Sequence, residues 1–130
     1  MPEPYSSTWL SLPVHYVAPV AGALGARVLD WWDDPCDPRD ATIRLIDGGA
    51  LVWDEESGWR HGRFVSGEKG TRTVLSGVRY LGGGVLPRPA EIVSLLAGPG
   101  SADRPRYRAY TDVHDGFDQA LESFAVAALV

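Results

Sequence analysis

The residues of this chain whose types could do chemistry are three histidines, one cysteine and a cluster of aspartates. His15, His61 and His114 lie far apart in the sequence. Structural zinc sites draw on closely spaced Cys and His pairs, so this spacing argues against one. A histidine and an aspartate could still converge in space as an acid–base pair. Cys36 stands alone, so no intrachain disulfide can form. Its neighbours are carboxylates, which raise a thiol's pKa, the opposite of what a nucleophilic cysteine needs. Asp30, Asp33, Asp34, Asp37 and Asp40 crowd into one short stretch. Hard cations seek several oxygen ligands, but these acids lack the alternate spacing and central glycine of a calcium loop. Pro35 and Pro38 explain them more simply, as turn formers, and Arg39 is placed to pair with them. No metal and no cofactor is expected.

The glycine-rich stretches are weak signals. Gly67-Glu68-Lys69-Gly70-Thr71 holds the letters of a phosphate loop in the wrong order. Gly82-Gly83-Gly84 lacks the third glycine of a dinucleotide fingerprint. It reads as a flexible corner, or as bare backbone approaching a ligand. The five tryptophans are the least ordinary feature. Trp31, Trp32, Trp53 and Trp59 fall on or beside strands, and adjacent Trp31 and Trp32 must point to opposite faces of an extended segment. Trp53, Arg44, Trp59 and Trp32, with Asp37 and Arg39 from the acidic loop, are the candidate ligand-binding residues. Aromatic anchors with arginine are what binding surfaces use.

The elements that must position these residues follow from periodicity and punctuation. Residues 1–11, with Pro2, Pro4 and three serines, read as an irregular leader. Tyr16, Val17, Val20, Ala21 and Leu24 recur at helical spacing between Pro13 and Gly25. Residues 27–32 read as a strand and 33–40 as a loop. Thr42–Asp47 and Ala50–Asp54 are strands about Gly48-Gly49, which suits a two-residue hairpin turn. That turn sets Ile46 opposite Leu51, Leu45 opposite Val52 and Arg44 opposite Trp53. Ile43, Leu45 and Val52 would then face the core, with Arg44 and Trp53 on the other face, under a covering helix or open as a binding surface. Glu55-Glu56-Ser57-Gly58 is a second turn, Trp59–Val65 a strand, 67–70 a turn and Thr71–Leu81 a strand. Helices follow at Pro89–Ala97 and from near Asp115, where Asp115 and Asp118 resemble a capping box and Phe117, Leu121, Phe124 and Ala128 form a stripe. Such short connections forbid parallel crossovers. The fold class is α+β: an antiparallel β-meander of about four to five strands packed with an N-terminal helix and two C-terminal helices.

The 130 residues suit a single domain, 1–130, able to bury its own core. No apolar run is long enough to span a membrane, and the first residues lack the pattern of a signal peptide. With the lone cysteine this makes a cytoplasmic location the expectation. The net charge of −5 disfavours phosphate backbones, although eleven of the twelve basic residues are arginines. A nucleic-acid regulator would need Arg104, Arg106 and Arg108 to join Arg60, Arg63 and Arg79 on one face.

Three stretches carry a likeness: Asp34-Pro35-Cys36-Asp37-Pro38-Arg39-Asp40-Ala41-Thr42-Ile43, then Leu51-Val52-Trp53-Asp54-Glu55 with Gly58-Trp59-Arg60, then Tyr80-Leu81-Gly82-Gly83-Gly84-Val85-Leu86-Pro87-Arg88-Pro89. Together they resemble a family of small uncharacterised actinobacterial proteins, a domain of unknown function, over roughly residues 14–97. The resemblance implies a bacterial cytoplasmic protein from a GC-rich genome and carries no activity, cofactor or catalytic residue.

The expected function is a non-catalytic binding or interaction module for an unknown small molecule or protein. The alternatives are a small enzyme with a His/Asp pair in a tryptophan-lined pocket, and a nucleic-acid-associated regulator. The apolar end from Ala125 to Val130 suits docking onto the core or a second copy, which makes a homodimer an expectation.

Overall fold

The computed structural model describes residues 2–34 and 37–128. Part of the leader expected to be irregular is a short helix, α1 (Ser7–Ser11), whose N-terminus is capped by the Ser6 hydroxyl accepting from the Trp9 amide. It delivers Trp9 to the core. Helix α2 (Val14–Leu24) buries the expected stripe, runs through Pro19, and ends at Gly25 with φ +59°. A single 3₁₀ turn (Gly25–Arg27) leads into the sheet.

The strands β1 (Val28–Asp34), β2 (Asp40–Leu45), β3 (Gly49–Asp54), β4 (Gly58–Glu68) and β5 (Thr71–Tyr80) form one antiparallel meander in sequence order. Helices α3 (Pro89–Ala97) and α4 (Phe117–Ala128) pack with α2 over one face. Asp115 caps α4 by accepting from the Phe117 amide. Asp118 does not close a capping box; it turns to Trp9 and Arg39 instead.

The register of the β2–β3 hairpin differs from the expected one. Ala41 pairs with Trp53, Ile43 with Leu51 and Arg44 with Ala50. The connection has three residues, Ile46-Asp47-Gly48, with Gly48 at φ +89° and the Asp47 carboxylate accepting from the Gly49 amide at 2.8 Å. Because side chains alternate, an odd shift in register turns one strand over. Leu51 and Trp53 therefore join Ile43 and Leu45 beneath the helices, and Val52 moves to the opposite face with Thr42 and Arg44.

The core lies under the helices, and its large rings have their polar atoms satisfied. Trp53 donates to the Val85 carbonyl at 2.8 Å, and Trp59 to the Tyr16 hydroxyl at 2.9 Å. The Tyr16 hydroxyl donates in turn to the Pro87 carbonyl. Burial holds the Tyr16 pKa well above the ordinary phenolic value, so this relay does not titrate near neutrality. These bonds pin residues 85–87 across the sheet end. The Gly82–Gly84 corner meets the protein's own backbone there: a Cβ on Gly58, at φ +72°, would lie 2.6 Å from the Gly84 carbonyl oxygen. Gly58→Ala should therefore destabilise the fold by about 2 kcal/mol or more in chemical denaturation. A loss below about 0.5 kcal/mol would mean that the corner yields.

The opposite face is neither helix-covered nor open. β4 and β5 are long, broken by bulges between His61 and Arg63, Phe64 and Ser66, and Ser66 and Glu68. Bulges bend a strand, and the outer part of this hairpin lies back across the sheet. The hydroxyls of Thr73 and Thr42 share a hydrogen bond of 2.6 Å, Trp32 meets Phe64 edge-on, and Thr42 and Val52 are buried.

Candidate functional site

The six residues expected to bind a ligand fall into separate places. Trp53 and Trp59 are core residues beneath the helices. Arg44 is on the other side of the sheet, 3.4 Å from Asp30 and over the Phe64 ring, so the expected stack on Trp53 does not exist. Trp32 shares that second face. Asp37 is exposed and accepts from the Tyr5 hydroxyl. Arg39 is only 1% exposed and does not pair with the acidic loop: its guanidinium engages Glu55 at 3.0 Å and Asp118 at 2.9 Å and lies over Trp9.

The aspartates of residues 30–40 turn to different partners: Asp30 to Arg44, Asp33 to Lys69, Asp34 to the Gly70 amide, Asp37 to Tyr5 and Asp40 to Arg72. Among the described residues no group of three His, Cys, Asp or Glu side chains is placed to hold a metal ion. Cys36 lies outside the described residues, and the apolar end at Ala125–Val130 runs out of them.

Two charge constellations were hidden from sequence reading. The turn Asp54-Glu55-Glu56-Ser57 is buried entirely. It is clasped by Arg39 and Arg60 and, from the segment before α4, by Arg104, Arg106 and Arg108. The signal in the sequence was complementarity: three acids in one turn, three arginines at alternate positions far downstream. These three arginines pair with the turn while Arg104 and Arg106 stay more than half exposed, and Arg79 is held by the Leu96 and Gly98 carbonyls at the end of α3.

The second constellation surrounds the β2–β3 turn. On the helix side a cleft of about 410 Å³ is lined by Arg27, Leu45, Ile46, Asp47, His61, Arg79 and Leu96. On the other side a hollow of about 270 Å³ is lined by residues that include Leu29, Arg44, Arg63 and Phe64. Ile46 between them is 67% exposed and Leu29 54%. Of the eleven arginines only Arg27 and Arg63 have guanidinium groups with no hydrogen bond or ion pair among the described residues, and both flank this turn. His61 lines the cleft near Gly49. Burial, and then the charge of Arg79, hold its pKa below the ordinary value, so the imidazole is neutral at pH 7. His61 and Asp47 share the cleft, yet no hydrogen bond joins any histidine to an aspartate among the described residues. His15 and His114 are exposed.

The chain belongs to the Family of unknown function (DUF6292), whose profile matches residues 16–98. No curated protein and no solved structure matches it. The matched span holds every residue that lines the cleft and the whole acidic turn with Arg39 and Arg60, and ends before Arg104, Arg106 and Arg108.

Proposed function

We propose that this member of the family is a binding module whose ligand is a small organic anion, seated in the cleft between the β2–β3 turn and the end of α3. The observation that carries this reading is the placement of the two unpaired arginines. In a chain of net charge −5, nine arginines are engaged by carboxylates or carbonyls. Arg27 is left to face a concave space with an apolar side at Leu45, Ile46 and Leu96. That volume lies in the range of small-molecule pockets, and apolar walls with a few convergent polar groups are their usual chemistry. A carboxylate or phosphate ester on a compact apolar body fits it. Neutral His61 supplies a further hydrogen-bonding edge, and with no aspartate bonded to it the arrangement favours binding over acid–base catalysis. A bacterial cytoplasmic setting, as the actinobacterial resemblance implies, and a homodimer belong to the same reading.

The test is a thermal-shift and calorimetric series of aliphatic and aromatic carboxylates and phosphate esters, with matched amines as controls. Anions with apolar bodies should raise the melting temperature by several degrees near saturation. Arg27→Ala should weaken the best of them by about ten- to a hundredfold, the scale of a lost charge-assisted hydrogen bond. Binding unchanged by that substitution, or amines that bind as well as anions, would remove the reading.

A further inference from the structure

The second face of the sheet is closed by the outer part of the β4–β5 hairpin, and the closure is largely polar. Lys69 reaches Asp33 at 2.9 Å, and the Gly70 amide donates to Asp34 at 2.7 Å. Arg72 donates to the Asp40 carboxylate at 3.1 Å and to the Asp37 carbonyl at 3.2 Å, and Thr73 bonds Thr42. Val65 and Val74 face solvent instead of the sheet. Two bulges interrupt β4 before the tip and a third lies within it, between Ser66 and Glu68. A segment held by ion pairs and hydrogen bonds that water can replace, beyond a broken ladder, belongs to the low end of local stability.

Asp40 lies beneath this closure, 3% exposed, with Oδ2 on Arg72 and Oδ1 lacking any partner. Among the described residues only the Trp32 indole N–H, on the same face, is another buried side-chain polar atom so placed. The charged groups facing Asp40 come from every neighbouring strand: Asp34 on β1, Asp54 on β3, Arg60 on β4 and Arg72 on β5. A carboxylate there has lost water from one oxygen and sees two like charges against two opposite ones. Orphaned buried groups of this kind call for an explanation.

We propose that the hairpin tip, residues 66–73, is a latch over the second face, and that Asp40 controls it: shut while Asp40 keeps its proton, released when the proton leaves. Burial first, then Asp34 and Asp54, raise the Asp40 pKa to about 7 against the pull of Arg72 and Arg60. Once the tip lifts, water reaches Oδ1 and the pKa falls back toward the ordinary 3.8. The closed form therefore binds the proton more tightly, and raising the pH through 7 favours the open form. Over pH 5.5 to 8.5 the open fraction should grow by about tenfold or more.

The experiment is solvent exchange of the Gly70 amide, whose hydrogen bond to Asp34 is part of the latch, measured by NMR at both pH values and corrected for intrinsic exchange. In the parent protein Gly70 protection should fall about tenfold or more from pH 5.5 to 8.5, while the core amide of Leu51 stays far better protected. Asp40→Asn should hold Gly70 at one protection level across the range. Arg72→Ala, which alters no buried side chain, should lower that protection at both pH values. PH dependence surviving in Asp40→Asn would overturn the latch, as would a parent with none or an Arg72→Ala variant with unchanged protection.

Discussion

Glu55→Ala should lower the stability of this protein by about 3–5 kcal/mol, the cost of leaving buried charge unpaired. Glu55 is 0% exposed. Its carboxylate accepts from the Arg39 backbone amide at 2.6 Å, from the Arg39 side chain at 3.1 and 3.0 Å, and from Arg108 at 2.8 Å. Without it, Arg39 keeps only Asp118 and the Trp9 carbonyl, deep in the structure, and Arg108 keeps Asp115. The pair itself need not be a large net source of stability, because desolvating its members offsets much of their attraction. The loss of one member is what costs, since Arg39, almost fully buried, is left a cation short of its main partner. In a thermal melt the midpoint should fall by about 10 °C or more. The segment carrying Arg104, Arg106 and Arg108 should also become the first site of proteolysis. A fall of only a few degrees would mean that this segment is held by its other contacts, the Tyr107 and Tyr110 amides on Glu56 among them.

Asp40→Asn should act in the opposite direction and stabilise the protein at pH 8. The Asp40 pKa is raised to about 7 in the folded state and is near 3.8 in the unfolded chain. Below about pH 4 both states are protonated and ionisation contributes nothing. From pH 4 to 7 the unfolded state releases the proton while the folded state holds it, so stability falls as pH rises. Above 7 the full penalty remains. A shift of three units corresponds to about 4 kcal/mol, and lifting of the hairpin tip lowers that ceiling, which leaves about 2–4 kcal/mol. Asparagine occupies the same space without the ionisation. Arg72, half exposed, turns to water at little cost. Denaturation at pH 4, 6 and 8 should show parent and variant separating as the pH rises; parallel curves would mean that Asp40 is not the group that titrates.

The elements of this fold are written locally. Tyr16, Val17, Val20, Ala21 and Leu24 at helical spacing, Gly25 at the stop, and Pro89 at the start of α3 place helices through interactions within a turn or so of chain. Strand-forming runs broken by glycine turns leave an antiparallel meander as the arrangement their short connections permit. A capped helix inside a proline- and serine-rich leader was less visible, because Ser6 and Trp9 outweigh the prolines before them only once Trp9 finds its place in the core.

Tertiary structure decided the rest. Gly48-Gly49 is compatible with turns of two or three residues, and the choice of three turned β3 over. The Asp47 bond to Gly49 and the burial of Leu51 and Trp53 against the helices belong to that choice, and with it Trp53, read from the sequence as facing away from the core, became core, while Trp32 and Arg44 lie on the second face. Charge partners were equally out of reach: Arg39 found Glu55 and Asp118, and not its neighbouring aspartates, because a guanidinium beneath α1 must be satisfied by whatever the fold buries with it. The candidate cleft joins residues from Arg27 to Leu96, and the closed second face joins β2 to the tip of β4–β5. Local sequence sets which backbone shapes are cheap; register, burial and charge pairing depend on groups tens of residues apart, and their energies exist only once the chain has brought those groups together.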